Sequence, residues 1–279
     1  MTSTNAAESL AVLALVALLP ALVYLVWVRR AERFHGEGWS SVLAAFAYGA
    51  LFATVTAGIL EAVIVGLGTS VTQRYPGPEF VFLNGNSTAG AFFLVLVIAP
   101  FVEEALKGSG VVAYRDRIRQ PSDGAVFGAS VGLGFGFFET FLYGVGAFVV
   151  GGLVAGLSLI LVRSLSSVLL HGSSTGMFGH GYARSKFGTP GAGTGSYYLL
   201  AVAMHASFNA LASLAVLLAV FHITGVAVDF ASLIALVAAM AFAFGAIEHV
   251  RSVIQSADYP ALGGPRRTFP PRRVIPPKR

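Results

Sequence analysis

Cysteine is absent from the 279 residues, which excludes disulfides, thiolate metal ligands and cysteine nucleophiles together. Charge is scarce. Asp, Glu, Lys and Arg make up 11% of the chain, against about 25% in soluble domains. The His-Glu-x-x-His spacing of many zinc helices is missing. No internal repeat of the kind that builds inverted-repeat transporters is visible. The chain does have apolar surface in excess: 56% hydrophobic residues, 22 Phe and a mean hydropathy of +0.76. So few charges cannot cover that much apolar surface in water, so a soluble enzyme is excluded and the bilayer is the matching solvent.

A crossing helix needs roughly 20 apolar residues. Seven stretches meet this, at about 9–28, 41–66, 88–113, 123–144, 152–181, 196–219 and 225–248. They predict an all-α, polytopic helix bundle over residues 1–250. A basic, proline-rich, extended tail is expected over 251–279. The first stretch is followed by Arg29, Arg30 and Arg33 rather than by a cleavage site, so it reads as a retained helix. Fifteen of the 18 basic residues fall in alternate loops and the tail. By the positive-inside rule the N-terminus then faces out and the C-terminus the cytoplasm, in a cell-membrane protein. This topology accounts for the net charge of +5, and no nucleic-acid partner is inferred.

Ionisable residues interrupt the spans, and each costs at least ~2.5–3.5 kcal/mol at the bilayer centre. The third span carries Glu103, Glu104 and Lys107, the fourth Glu139, the fifth Arg163 and His171, and the sixth His205 and Asn209. Glu103 and Glu104 are separated by about 100° around the helix. They cannot share a direction, so one is expected to face a cavity and the other a cation. Glu103, His171 and His205 fall at a similar depth in their spans, with Glu139 nearer the outer face. Glu61, Asp229, Glu248, His249, His180 and His222 lie toward span ends and read as interfacial. Gly124, Gly128 and Gly132 form a small-residue ridge for close helix approach.

A carboxylate beside neutral imidazoles in a dry cavity can act as general base on a trapped water. Asn209 or an imidazole N–H could hold the developing oxyanion. This is hydrolysis without a covalent intermediate. Two His and one Glu are also a catalytic zinc set, but their spacing carries no zinc signature, so no cofactor is favoured and zinc is the alternative. Two other classes fit the same residues: a proton-coupled transporter, and a scaffold whose polar cluster only fixes packing.

Glu103-Glu104-x-x-Lys107, Phe135-x-x-x-Glu139 in a glycine-rich helix, Arg163 with His171, and His205-x-x-x-Asn209 occur in order across residues 100–210. This set resembles the PrsW family of intramembrane proteases, distant relatives of the CAAX-prenyl endopeptidases and bacteriocin-immunity membrane proteins. Thr140 departs from the Asn that many members place after the glutamate. The resemblance implies cleavage of a membrane-anchored protein, such as an anti-sigma factor, by a glutamate-activated water. It also implies site roles: Glu103 as base, Glu104 as its partner, His171, His205 and Asn209 positioning water and oxyanion, and Glu139 completing the pocket. Lys107 and Arg163 are supporting cations. Should a zinc be present, Glu103, His171 and His205 would be its ligands.

Overall fold

The computed structural model describes residues 6–32, 36–220 and 222–258, and among these it is all-helical. The chain runs through α1 (Ala6–Arg29) and α2 (Trp39–Ala47), then a π-helical turn (Tyr48–Ala53) into α3 (Thr54–Arg74). A short 3₁₀ segment (Pro78–Leu83) leads to α4 (Thr88–Phe93), a second π turn (Leu94–Ile98) and α5 (Ala99–Ala113). There follow α6 (Pro121–Ser164), α7 (Ser167–Lys186), α8 (Thr194–Ala212), α9 (Leu214–Val220) and α10 (Val226–Asp258).

Among the described residues five stretches are long and apolar enough to cross a membrane: Ala6–Arg29, Trp39–Arg74, Thr88–Ala113, Pro121–Lys186 and Val226–Ala257. The fourth has 66 residues and as one rod would run about 99 Å, far beyond the roughly 30 Å hydrocarbon core. It folds back at Gly152, whose φ of 76° and ψ of −175° break the helix. Glycine is the residue that takes this conformation without a steric penalty. The expected sixth span is also present as helix, but it is divided at Ser213 into α8 and α9, and its polar residues keep it out of the apolar five.

The arms on either side of Gly152 pack antiparallel. A Cβ on Gly124 would meet the Gly179 carbonyl, one on Gly128 the Thr175 carbonyl, one on Gly132 the His171 carbonyl and one on Gly136 the Val168 backbone. The glycine ridge read from the sequence therefore serves backbone-to-backbone packing inside this hairpin. A second pair of glycines seats α2 and the first π turn against the first arm: Gly134 lies against the Phe46 carbonyl and Gly49 against that of Val131. The main core fills the space between the hairpin, α1 and α10, with Leu25, Ala129, Leu133, Leu170, Ile247 and Val250 all buried. Outward-facing Leu15, Leu19, Val149, Val150 and Val154 are exposed, as a bilayer requires.

Element ends depart from the sequence reading in ways hydropathy does not register. The fifth span was expected to be continuous over 152–181, but its helix breaks at Leu165 and Ser166 before α7 begins. The last helix continues to Asp258, so the first residues of the expected tail are helical. The remainder of that tail, and Arg33, lie outside the described residues. Helix α6 starts as its sequence suggests: Pro121 occupies the first turn, and Asp123 Oδ2 accepts from the Gln120 and Arg119 amides in a capping box.

Candidate active site

Four helices, α5 to α8, bring the polar residues together. Pro100 opens α5 directly after the π turn, and the next turn carries Glu103, Glu104 and Lys107. The two arms of α6 supply Glu139 and Arg163, α7 supplies His171, and α8 supplies His205 and Asn209. Glu103, Glu104, Lys107, His171 and His205 are all buried, with Lys107 at 0% exposure.

The adjacent glutamates face different ways. Glu104 Oε1 accepts from Lys107 Nζ at 2.7 Å, from Ser174 Oγ at 3.0 Å and from His205 Nδ1 at 3.1 Å. Its Oε2 accepts from Thr175 at 3.3 Å. Glu103 instead lines a cavity of about 390 Å³. Its Oε2 is buried without a hydrogen-bond partner, at 3.6 Å from Lys107 Nζ. On the other side of the cluster, Glu139 Oε2 accepts from Arg163 at 2.6 Å and from His171 Nε2 at 2.8 Å, and Arg163 also reaches Ser167 at 2.9 Å. The Arg163 guanidinium rests on the Tyr143 ring, 3.9 Å from its centroid.

These contacts fix both histidine tautomers. Lys107 Nζ lies 2.9 Å from His171 Nδ1. An ammonium can only donate, so Nδ1 is the accepting nitrogen and Nε2–H is the one that donates to Glu139. In His205, Nδ1–H donates to Glu104 and leaves a lone pair on Nε2. That Nε2 lies 3.8 Å from Glu103 Oε2, and His171 Nδ1 lies 3.9 Å from the same oxygen. The three donor atoms are all within 4.8 Å of one another, and the two rings meet edge to face at 4.9 Å. Three acceptor atoms thus converge, and Lys107 Nζ already donates to one of them and lies near a second; buried acceptors of this kind call for a cation or a hydrogen donor.

A PrsW family intramembrane metalloprotease profile matches residues 37–243. The chain belongs to this family. It is a multi-pass integral membrane protein and an intramembrane peptidase, and its Glu103–His171–His205 group could hold a metal ion. No curated protein and no solved structure matches the chain. The donor set suits a family described as metalloprotease. Two imidazoles and a carboxylate are a catalytic zinc set, and each imidazole is held from behind by a carboxylate, as metal-ligating histidines commonly are. Zinc bonds of about 2.0–2.2 Å would draw the donors closer than their present spacing. The spatial grouping replaces the helical spacing that the sequence lacks.

The remaining sequence-predicted residues fall into place around this centre. Asn209 lines the cavity, but its Nδ2 donates to the Val95 carbonyl at 2.9 Å and ties α8 to the second π turn. Glu139, expected nearer the outer face, reaches His171 directly. Two Gly-x-Ser-x-Gly pentads, at 128–132 and 172–176, lie inside helices. Ser130 Oγ donates to the Val126 carbonyl and Ser174 Oγ to Glu104, so neither forms the strand-to-helix elbow of a serine nucleophile. Sequence reasoning missed Glu61: assigned to the interface, it lines the same cavity as Glu103, Glu139, Arg163 and Asn209. Its 42-residue separation from Glu103 left no local signal, and an acid inside an apolar span was the one available clue.

Proposed function

We propose that the chain is an endopeptidase that hydrolyses a peptide bond in a membrane-anchored protein substrate of anti-sigma-factor type, in the cell membrane, with Glu103, His171 and His205 holding a zinc ion. The observation that carries this reading is the convergence of Glu103 Oε2, His171 Nδ1 and His205 Nε2, with no hydrogen bond to the carboxylate oxygen. A zinc ion held there would polarise the scissile carbonyl and acidify a water toward neutral pH. The protein's own groups do the rest. Glu139 and Glu104 hold the two imidazoles in their ligating tautomers. Lys107 and Arg163 offset the charge of those carboxylates. Asn209 and Arg163 present N–H groups to the cavity where an oxyanion would develop.

One contact favours a second reading. Lys107 Nζ already occupies His171 Nδ1 at 2.9 Å, which suits a water held among the three donors with Glu103 as general base and no metal.

The topology proposed with this function has seven crossings, N-terminus out. The hairpin at Gly152 contributes two, and α8 with α9 one. Because the chain has no cysteine, single-cysteine labelling in intact cells tests it directly. Gly77→Cys is expected to react with an impermeant reagent, and Thr189→Cys only after lysis; the reverse pattern would invert the orientation.

The functional test uses purified protein in liposomes with a single-span reporter. Cleavage is expected from wild type, with loss on chelation and rescue by zinc. Chelator-indifferent cleavage that Glu103→Gln abolishes would select the second reading, and undiminished cleavage by Glu103→Gln would refute both.

A further inference from the structure

Peptide hydrolysis moves one proton from water to the departing nitrogen, and the three acids of the central cluster are all engaged. In the zinc reading Glu103 is a ligand. Glu104 is 1% exposed, uses both oxygens on Lys107, His205, Ser174 and Thr175, and does not line the cavity. Glu139 holds Arg163 and His171 with one oxygen.

The cavity has a fourth carboxylate. Glu61 projects from α3 into the lining, beside Thr54, Ala57 and Gly58 of its own helix. Its Oε1 is buried without a hydrogen-bond partner, and no ion pair reaches it among the described residues. Leaving a buried carboxylate oxygen unpartnered costs free energy. The charged and titratable groups around it are Glu103 and Lys107 from α5, Glu139, Tyr143 and Arg163 from α6, and His171 from α7. None of them bonds to it. Glu61 therefore lines the space that substrate and water must enter, and one of its carboxylate oxygens has no bond to the protein.

Building on the zinc reading, we infer that Glu61 is the general base and acid of the hydrolysis. Its carboxylate takes a proton from the attacking water as the water oxygen bonds to the scissile carbonyl carbon. As the C–N bond breaks, the carboxyl returns that proton to the departing nitrogen. The products are one new carboxyl terminus and one new amine, with the Glu61 carboxylate regenerated. Proton transfer by a positioned side chain contributes about 10²–10⁴-fold in rate.

The test uses full-length protein in liposomes with the single-span reporter, reading kcat, KM, the pH profile of kcat and zinc per chain. Glu61→Gln is expected to keep its zinc and a KM within about twofold of wild type, to lose about 10²–10⁴-fold in kcat, and to lose the acidic limb of the profile. In Glu61→Ala, added formate is expected to restore rate in proportion to its concentration, which a purely structural role would not allow. An unchanged kcat in Glu61→Gln, a loss confined to KM, zinc lost along with activity, or an alanine variant that formate does not rescue would each overturn the inference. Failure of the underlying reading looks different: wild type would then cleave without bound zinc, or Glu103→Gln would keep its zinc and its cleavage. An active Glu61→Gln beside a zinc-bound wild type and an inactive, zinc-free Glu103→Gln would remove the Glu61 role alone.

Discussion

The hairpin of α6 and α7 and the wall of the cavity are built on opposite principles. Along the hairpin, from Gly124 to Gly136, the helices are regular and meet backbone to backbone through glycine. Around the cavity the helices are interrupted. One π turn runs into Thr54, another contains Leu94 and Val95, and α8 breaks after Ala212 at Ser213; all five of these residues line the cavity. Ser167 follows the break at Leu165 and Ser166 and lines it too. Tight, regular packing fixes the position of His171, and irregular turns hold neighbouring helices apart to leave room for water and substrate. Helical irregularities of the π type occur often at functional sites.

The comparison breaks most severely where charge is sealed into the packed half. Glu104→Ala would leave the Lys107 ammonium buried with its nearest partner gone. A loss of about 3–5 kcal/mol is expected, read as a failure to accumulate folded protein on size-exclusion in detergent. A smaller effect separates the two regions through one substitution in each. Gly132→Ala would press a methyl against the His171 carbonyl and is expected to cost about 1–3 kcal/mol. Gly58→Ala, on the cavity wall with nothing within 4 Å of its Cβ, is expected to be neutral in thermal melts. Equal melting temperatures for the two would contradict the contrast. Asn209→Ala loosens α8 from the π turn and is expected to cost about 0.5–1.5 kcal/mol together with a lower cleavage rate.

The smallest effect lies outside the spans. Glu32, in the loop after α1, accepts from the Glu37 amide at 3.0 Å. Burial pushes its carboxyl up to about 8, opposed by that amide bond and reinforced by Asp123. The folded state therefore holds this proton more tightly than the unfolded chain does. The associated stability is present at low pH and is lost as pH rises from about 4.5 through about 8. Glu32→Gln is expected to flatten that decline, raising the melting temperature near pH 8 by about 2–4 °C with no change near pH 4.

Sequence periodicity and composition made much of this legible. The Glu103–Glu104 offset follows from helical geometry, and in the structure one faces the cavity while the other holds Lys107. The depth comparison groups Glu103, His171 and His205, and the glycine ridge marks a close helix contact. What the chain did not disclose is long-range. Nothing local says that Glu61 of α3 shares a cavity with Glu139 of α6, because an isolated acid toward the end of a span looks interfacial. Nor does hydropathy register a π turn or a one-residue break such as Ser213, since both leave the apolar count unchanged. The metal question shows the same limit, because zinc donors contributed by three helices leave no motif spacing.

The most direct test of the central claim is zinc content and cleavage measured together on wild type and Glu103→Gln in liposomes. The account predicts one zinc per chain and reporter cleavage for wild type. Glu103→Gln should remain folded, lose its zinc and cleave on the order of 10²–10⁴-fold more slowly or not at all. A folded Glu103→Gln that keeps its zinc and cleaves at the wild-type rate would contradict the account.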